Sequence, residues 1–240
     1  MHPLDNIIWQ ALTTRHSQFA ERHGNAARFT PEVTLFAGFD GDPEEGYASL
    51  SKLVGPGETV RLFLESPYED RQGWTHVGGA GVVEMVWEME SGRPASRPDS
   101  KANTLNATDH KEAEIVQLGA PDSNEMMELT ALTKPGPFEK RTHELGTYLG
   151  IRREGKLIAM SGERMKVPGY TEVSAVCTHP EHTGHGYARF LMGKVMQGIF
   201  ERGEKPFLHV KDDNMRAIQL YERLGFRRRS LVHLVVLRKS

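Results

Sequence analysis

Cysteine is nearly absent from this chain: Cys177 is the single one among 240 residues. No intrachain disulfide can form, and a reducing compartment fits that usage. Charge of one sign is not in excess either. Lysine and arginine number 30 against 32 aspartates and glutamates, a formal net charge of −2. That balance offers no basic excess for a nucleic acid or an anionic membrane, so neither is expected as a partner. Long apolar runs are missing, and none approaches the roughly 20 residues of a membrane span. Met1 to Gln10 holds Asp5 and only a brief apolar run, so no signal peptide is expected there. The localisation these absences suggest is cytoplasmic. What remains, 38% hydrophobic and 26% charged residues, suits a globular protein with one large core or two modest ones.

Residues 91–111 change character. Pro94, Pro98 and a run of small polar residues leave no hydrophobic period, which marks a linker or a long crossing loop. Before it, residues 1–90 read as a smaller domain of mixed α and β elements. Helices are predicted over 6–23 and 43–54, and strands over 33–39, 60–64 and 81–87. No chemical constellation stands out there, and packing or shaping an acceptor site is the role that fits. After the linker, residues 112–240 alternate strands and helices. A helix is predicted over 123–132, paired strands over 147–152 and 156–165, and a strand over 171–178. A helix ending near Arg202, a strand over 206–210, a helix over 214–224 and two closing strands complete the series.

The chemistry concentrates in two stretches. In Val176-Cys177-Thr178-His179-Pro180-Glu181-His182-Thr183-Gly184-His185-Gly186-Tyr187-Ala188 a strand enters a glycine turn, and the turn enters a helix. Glycine lets backbone approach a ligand closely, and the helix start presents unpaired N–H groups at a positive dipole end. Together they form a cradle for a phosphate or diphosphate. Ala188, Leu191, Met192, Val195, Met196 and Ile199 then fall on one helical face. The turn is no P-loop, since no Lys-Ser or Lys-Thr follows, and it lacks the spacing of a dinucleotide fingerprint. The second stretch runs from Asn214 to Phe226. Asn214 and Tyr221 are seven apart and share a helical face, with the small Ala217 between them and Gly225 placed to end the helix.

As a pair, Gly184-x-Gly186-x-Ala188 and Asn214-x-x-Ala217-x-x-x-Tyr221-x-x-x-Gly225-Phe226 resemble the GNAT superfamily of acyl-CoA-dependent N-acyltransferases, over roughly residues 112–240. The resemblance implies an α/β fold with a mixed sheet and acetyl-CoA as co-substrate, without a metal. It implies that main-chain groups of Thr183, Gly184, His185, Gly186, Tyr187 and Ala188 hold the CoA diphosphate. The strand through Val176, Cys177 and Thr178 would pair with the pantetheine arm, and an N–H near its end would stabilise the oxyanion. Asn214 would contact the pantetheine side, and Tyr221 would protonate the leaving thiolate. The family usually has Arg or Gln where this chain has Thr183, so side-chain help to the phosphates falls to His185 or Arg189. Some members carry a general-base glutamate at the strand position of Glu172. That makes Glu172 the first candidate to take the ammonium proton, provided burial raises its pKa. The acceptor expected is a primary amine on a small molecule or an amino acid, with a homodimer allowed.

Plainer readings stand beside these. Tyr221 can be a packing aromatic, Asn214 a simple helix cap, and Glu172 a solvated or ion-paired strand residue. Cys177, alone in an apolar strand, fits a small core residue better than a nucleophile. His179, His182 and His185 recur every third residue, but Pro180 and two glycines deny them a common face, so no metal site is expected. The competing function is a non-catalytic acyl-CoA sensor, with an ATP-binding α/β module as a third reading. Element order also likens residues 1–90 to a diverged copy of the second half.

Overall fold

The computed structural model describes residues 2–88 and 114–240. The expected linker, 91–111, lies outside the described residues. The elements in chain order are α1 (Ile7–Thr13), β1 (Ala20–His23), β2 (Ala26–Phe29), β3 (Ala37–Phe39), α2 (Pro43–Leu53), β4 (Thr59–Leu64) and β5 (Trp74–Trp87). There follow β6 (Glu114–Leu118), α3 (Ser123–Thr133), β7 (Tyr148–Arg153), β8 (Lys156–Val167), β9 (Tyr170–Thr178), α4 (Tyr187–Glu201), β10 (Lys205–Lys211), α5 (Met215–Arg223) and β11 (Phe226–Lys239). Among the described residues no helix is long and apolar enough to cross a membrane.

Alternating and all-apolar runs rich in Val, Ile and Met build one eight-stranded mixed sheet, ordered β4-β11-β5-β10-β9-β8-β7-β6. Strands β1, β2 and β3 form a separate small antiparallel sheet. The first segment does not keep its strands to itself. β5 is inserted between β10 and β11, pairing antiparallel with both, and β4 covers the outer edge of β11. Both halves of the sequence therefore share a single sheet.

Two layers of helix sandwich that sheet. α4 and α5 cover one face, where Met192, Val195, Met196 and Ile199 meet Val83, Met85, Val173, Leu208 and Val210. Each such fully buried aliphatic side chain contributes roughly 1.5–3 kcal/mol, which is what holds α4 against the strands. On the other face Ile7, Ile8, Ala11 and Leu12 of α1 pack with Phe36, Val86, Met165 and Phe207. Met126 and Leu129 of α3 pack beside them on Tyr148, Met160, Ala175 and Cys177.

Three expectations change. The helix predicted over 6–23 stops at Thr13, because the hydroxyls of Thr13 and Thr14 return to the carbonyls of Trp9 and Gln10 at 2.7 and 2.5 Å and draw the backbone into a turn. The strand over 33–39 shrinks to β3, with Phe36 bridging instead to Arg61. The two closing strands are one long β11, bent by a register shift between Arg228 and Ser230.

Candidate active site at the parting of β9 and β10

β9 and β10 run parallel but pair over only three positions, ending at Phe207 opposite Glu172. Beyond that point β10 bonds β5 alone, up to Lys211 opposite Val82, while β9 continues to Thr178 beside β8. The two strands therefore part, and the β10-facing backbone groups of residues 173–178 are left without a strand partner. Such an open edge accepts an extended chain by main-chain hydrogen bonds. The parting coincides with a bulge. Between Ser174 opposite Gly162 and Cys177 opposite Met160 the register shifts. Ala175, at its centre, has φ of +52°, a left-handed conformation that costs a residue with a Cβ roughly 1–2 kcal/mol.

β9 leads through a short turn at Pro180–His182 into the cradle. Thr183 does not reach outward: its hydroxyl donates to the Pro180 carbonyl at 3.1 Å. Gly184 and Gly186 have φ of +90° and +79°, and a Cβ built at either position would meet nothing within 4 Å. The backbone there is both left-handed and open, the two conditions under which glycine alone suits a close-approaching ligand. Gly186 caps α4 without any side-chain bond. The start of α4, where a helix turns its first N–H groups outward at the positive end of its dipole, faces this turn. The Tyr187 ring is buried among Ile151, Ile158, Phe190 and Leu191 and stacks on His185 at 5.4 Å. That anchoring fixes the turn while its backbone stays outside. These residues suit a diphosphate.

On the far side of the parting, Asn214 begins α5, its Oδ1 accepting from the Ala217 N–H at 3.2 Å. Ala217 and Tyr221 follow on that face and, like Val176 of β9, pack against the core between α4, α5 and the sheet. All three therefore border one core, Val176 from the stretch of β9 that has left β10. Burial pushes the Tyr221 phenol up to about 12, with the nearby Cys177 thiol adding to the shift. The phenol is therefore a proton donor throughout the neutral range. Cys177 faces the other way, toward α3, and burial pushes its thiol up to about 11. A thiol so protonated is a poor nucleophile.

Glu172 departs from its expectation. It is fully buried, but burial, which would raise its pKa, is outweighed. Arg164 of β8 grips it with two bonds, Nε to Oε2 at 2.9 Å and Nη2 to Oε1 at 2.7 Å, and the Met165 N–H and His209 Nδ1 add two more at 3.1 and 2.7 Å. The carboxyl is held well below the usual carboxylate range. An oxygen pair this fully engaged does not take a proton from an ammonium at neutral pH, so the requirement placed on Glu172 as base is not met.

The pair belongs to a longer row that sequence reasoning missed. On the α1 face, charges alternate across five adjacent strands. Asp5 pairs with Arg229 of β11, and Arg229 Nη1 lies 2.7 Å from Glu84 Oε1 on β5. Glu84 Oε2 lies 3.5 Å from His209 Nε2 on β10, and His209 Nδ1 reaches Glu172 of β9, which Arg164 of β8 closes. Burial alone would lower the His209 pKa, but its hydrogen bond with Glu172 and its charge contacts with Glu172 and Glu84 raise it above its ordinary value. A signal was present in the sequence. Glu84 interrupts the apolar run from Val82 to Trp87, and His209 sits inside a strand that is otherwise core; a charge in such a place must be paired.

Comparisons with known proteins bear on the same region. A family model described as FR47-like protein matches residues 148–235. The N-alpha-acetyltransferase RimI of Mycobacterium tuberculosis (strain ATCC 25618 / H37Rv) is 33% identical over 84 residues, 34% of this chain and 52% of the relative. That match spans about half of the relative's length. A crystal structure from Novosphingobium aromaticivorans DSM 12444, ascribed to the GNAT family, aligns over 100% of both chains with 34% identity and a TM-score of 0.83. A GCN5-related N-acetyltransferase from Kribbella flavida, 17% identical, covers 96% of each chain with a TM-score of 0.58, a likeness of fold.

Proposed function

This chain belongs to the GNAT family of N-acetyltransferases, and we propose that it moves the acetyl group of acetyl-CoA to the primary amine of a small molecule or amino acid. The observation that carries this reading is the parting of β9 from β10 directly beside the open turn at Gly184 and Gly186. In it, the N–H groups at 183–188 and the start of α4 hold the diphosphate. The free edge of β9 at Val176, Cys177 and Thr178 bonds the pantetheine arm, with Asn214 and Ala217 on its other side. The extended arm lays the thioester between β9 and Tyr221. An N–H near Cys177 or Thr178 polarises the carbonyl, and Tyr221 gives its proton to the departing thiolate. Residues 114–240 supply these parts, and residues 2–88 contribute most of the acceptor-side wall.

A peptide or protein N-terminus is the second acceptor reading, favoured by the similarity to a RimI acetyltransferase. A non-catalytic acyl-CoA sensor would use the same cradle but have no need of Tyr221.

The test has two arms. Acetyl-CoA should raise the melting temperature of the chain, since a ligand of the native state stabilises it, and ATP should not. Gly186→Val places a β-branched residue at φ of +79° and fills the open cradle, and should weaken acetyl-CoA binding at least tenfold. Thiol release against a panel of amines, amino acids and peptides then names the acceptor. A thermal shift with ATP and none with acetyl-CoA would remove the transferase reading.

A further inference from the structure

A cavity of about 560 Å³ opens on the α1 face, between the small sheet, the segment after β4, and strands β5, β10 and β11. It lies opposite the α4 cradle, across the sheet. Its volume falls in the range of small-molecule sites. Acidic side chains dominate its polar lining: Asp5, Asp40, Glu65, Glu69 and Glu84, with Arg71 and His209 as the basic ones. Arg71 is already held by Glu44 at 2.6 Å and lies over the Tyr47 ring.

The floor of this cavity carries an unmet need. Glu84 and His209 are 1% and 4% exposed, and Glu84 Oε2 and His209 Nε2 have no hydrogen-bond partner. Glu84 Oε1 is taken by Arg229, and His209 Nδ1 by Glu172. In a neutral ring, the carboxylate at Nδ1 fixes the hydrogen on that nitrogen, so Nε2 presents a lone pair. Two buried acceptors then face each other 3.5 Å apart, an arrangement that a donor with several N–H groups completes. Phe63, whose ring lies 4.6 Å from that of His209, together with Tyr68 and Val232 gives an apolar wall for the body of such a ligand. His209 stands two residues past the last β9–β10 pair, with Nδ1 toward Glu172 of β9 and Nε2 toward Glu84 of β5.

We propose that this cavity binds the acceptor as a primary ammonium on an apolar or aromatic body, with Glu84 receiving its charge and His209 accepting its proton. The proposal rests on the transferase reading for its chemistry. The proton passes from the ammonium to His209 Nε2, and the imidazolium is held between Glu84 and Glu172. The freed nitrogen lone pair forms the bond to the acetyl carbon as the carbon–sulfur bond breaks, and the thiolate leaves with the Tyr221 proton; the second proton, shed by the acylated nitrogen, returns through water to the Tyr221 phenolate, and His209 gives its own to solvent. Glu172 and Arg164 act on this step only as positioning residues, through Nδ1 of the ring.

The probe is phenethylamine, titrated calorimetrically into the full chain with and without CoA, and supplied as acceptor in thiol-release assays. Wild type should bind it, and phenethyl alcohol of the same shape should bind at least tenfold more weakly. Glu84→Gln should weaken amine binding at least tenfold with acetyl-CoA affinity unchanged. Val232→Phe, which adds bulk to the apolar wall of the cavity and leaves Glu84 and His209 in place, should do the same and guards against a folding defect in Glu84→Gln. His209→Gln should lower kcat about a hundredfold and change amine affinity only a few-fold. Wild type that fails to bind phenethylamine, equal binding of the alcohol, or amine affinity unchanged in both cavity variants would overturn the site. Absence of acetyl-CoA binding would overturn the transferase reading instead, and the amine titration would still decide whether the cavity takes a cation.

Discussion

Arg164 and Glu172 face each other from neighbouring strands with both guanidinium–carboxylate bonds made, 2.9 and 2.7 Å long, and with 6% and 0% of their side chains exposed. A planar fork meets a planar acceptor, the geometry in which Arg outperforms Lys. The pair leaves the carboxylate charged and compensated inside the sheet. It also fixes one ring nitrogen of His209, so the same contact that disqualifies Glu172 as a base orients its neighbour.

Breaking this pair should be costly. Glu172→Gln leaves a buried guanidinium without its counter-charge, and losses of about 3–5 kcal/mol are typical of that change. Urea denaturation should show the midpoint falling with an unchanged slope. The pH dependence has a definite sign. Glu172 has a folded pKa below its ordinary value of 4.5, so its contribution is complete above about pH 4.5 and is lost as pH falls through the folded value.

His16 should dominate a milder acid window. Burial pushes this histidine down to about 4 from 6.5, with its Nε2 2.9 Å from the Arg164 carbonyl and 3.0 Å from the Lys166 N–H. Between those two values the unfolded chain takes up a proton that the folded chain refuses. Stability should therefore decline as pH drops from about 6.5 toward 4, by on the order of 3 kcal/mol. His16→Gln, followed by denaturation at several pH values, should flatten that limb.

Tyr221→Phe removes the proposed acid and keeps the ring that packs on the core beside Phe226. Turnover should fall roughly 10²–10⁴-fold, while acetyl-CoA affinity from calorimetry stays within a few-fold of wild type. Because the phenol is pushed up to about 12, the wild-type rate should show no alkaline decline from this group below about pH 10. Unchanged turnover with a good acceptor would return Tyr221 to a packing role.

Cys177→Ala tests the remaining nucleophile. Its thiol is buried and pushed up to about 11, so iodoacetamide should leave the folded enzyme active. The variant should turn over within a few-fold of wild type and lose about 1 kcal/mol of stability from the small cavity left behind. A trapped acetyl–cysteine would contradict this.

Much of the second half was legible because its signals are local. The stripe of Leu191, Met192, Val195, Met196 and Ile199 gave α4, the Asn214 cap gave α5 within a residue, and paired glycines marked the turn between β9 and α4. What could not be read depends on partners distant in sequence. Nothing near residues 74–87 says that this strand slots between β10 and β11, because pairing across such separations leaves no local imprint. The depressed pKa of Glu172 likewise required knowing that Arg164 stands opposite. Glu84 and His209 were visible as charges in apolar runs, and only their meeting needed three dimensions.

The placement of β5 also constrains how this protein is made. Trp74 pairs with Lys239 and Val83 with Leu231, so the middle of the sheet stays unfinished until chain synthesised much later arrives. Until then β5 exposes both of its hydrogen-bonding edges and an apolar surface, the state in which strands join the wrong neighbour. Glu84 rides on that strand. A nascent or truncated chain lacking β11 would therefore be not merely inactive but adhesive, since β4 and β5 would be left without the strand that lies between them.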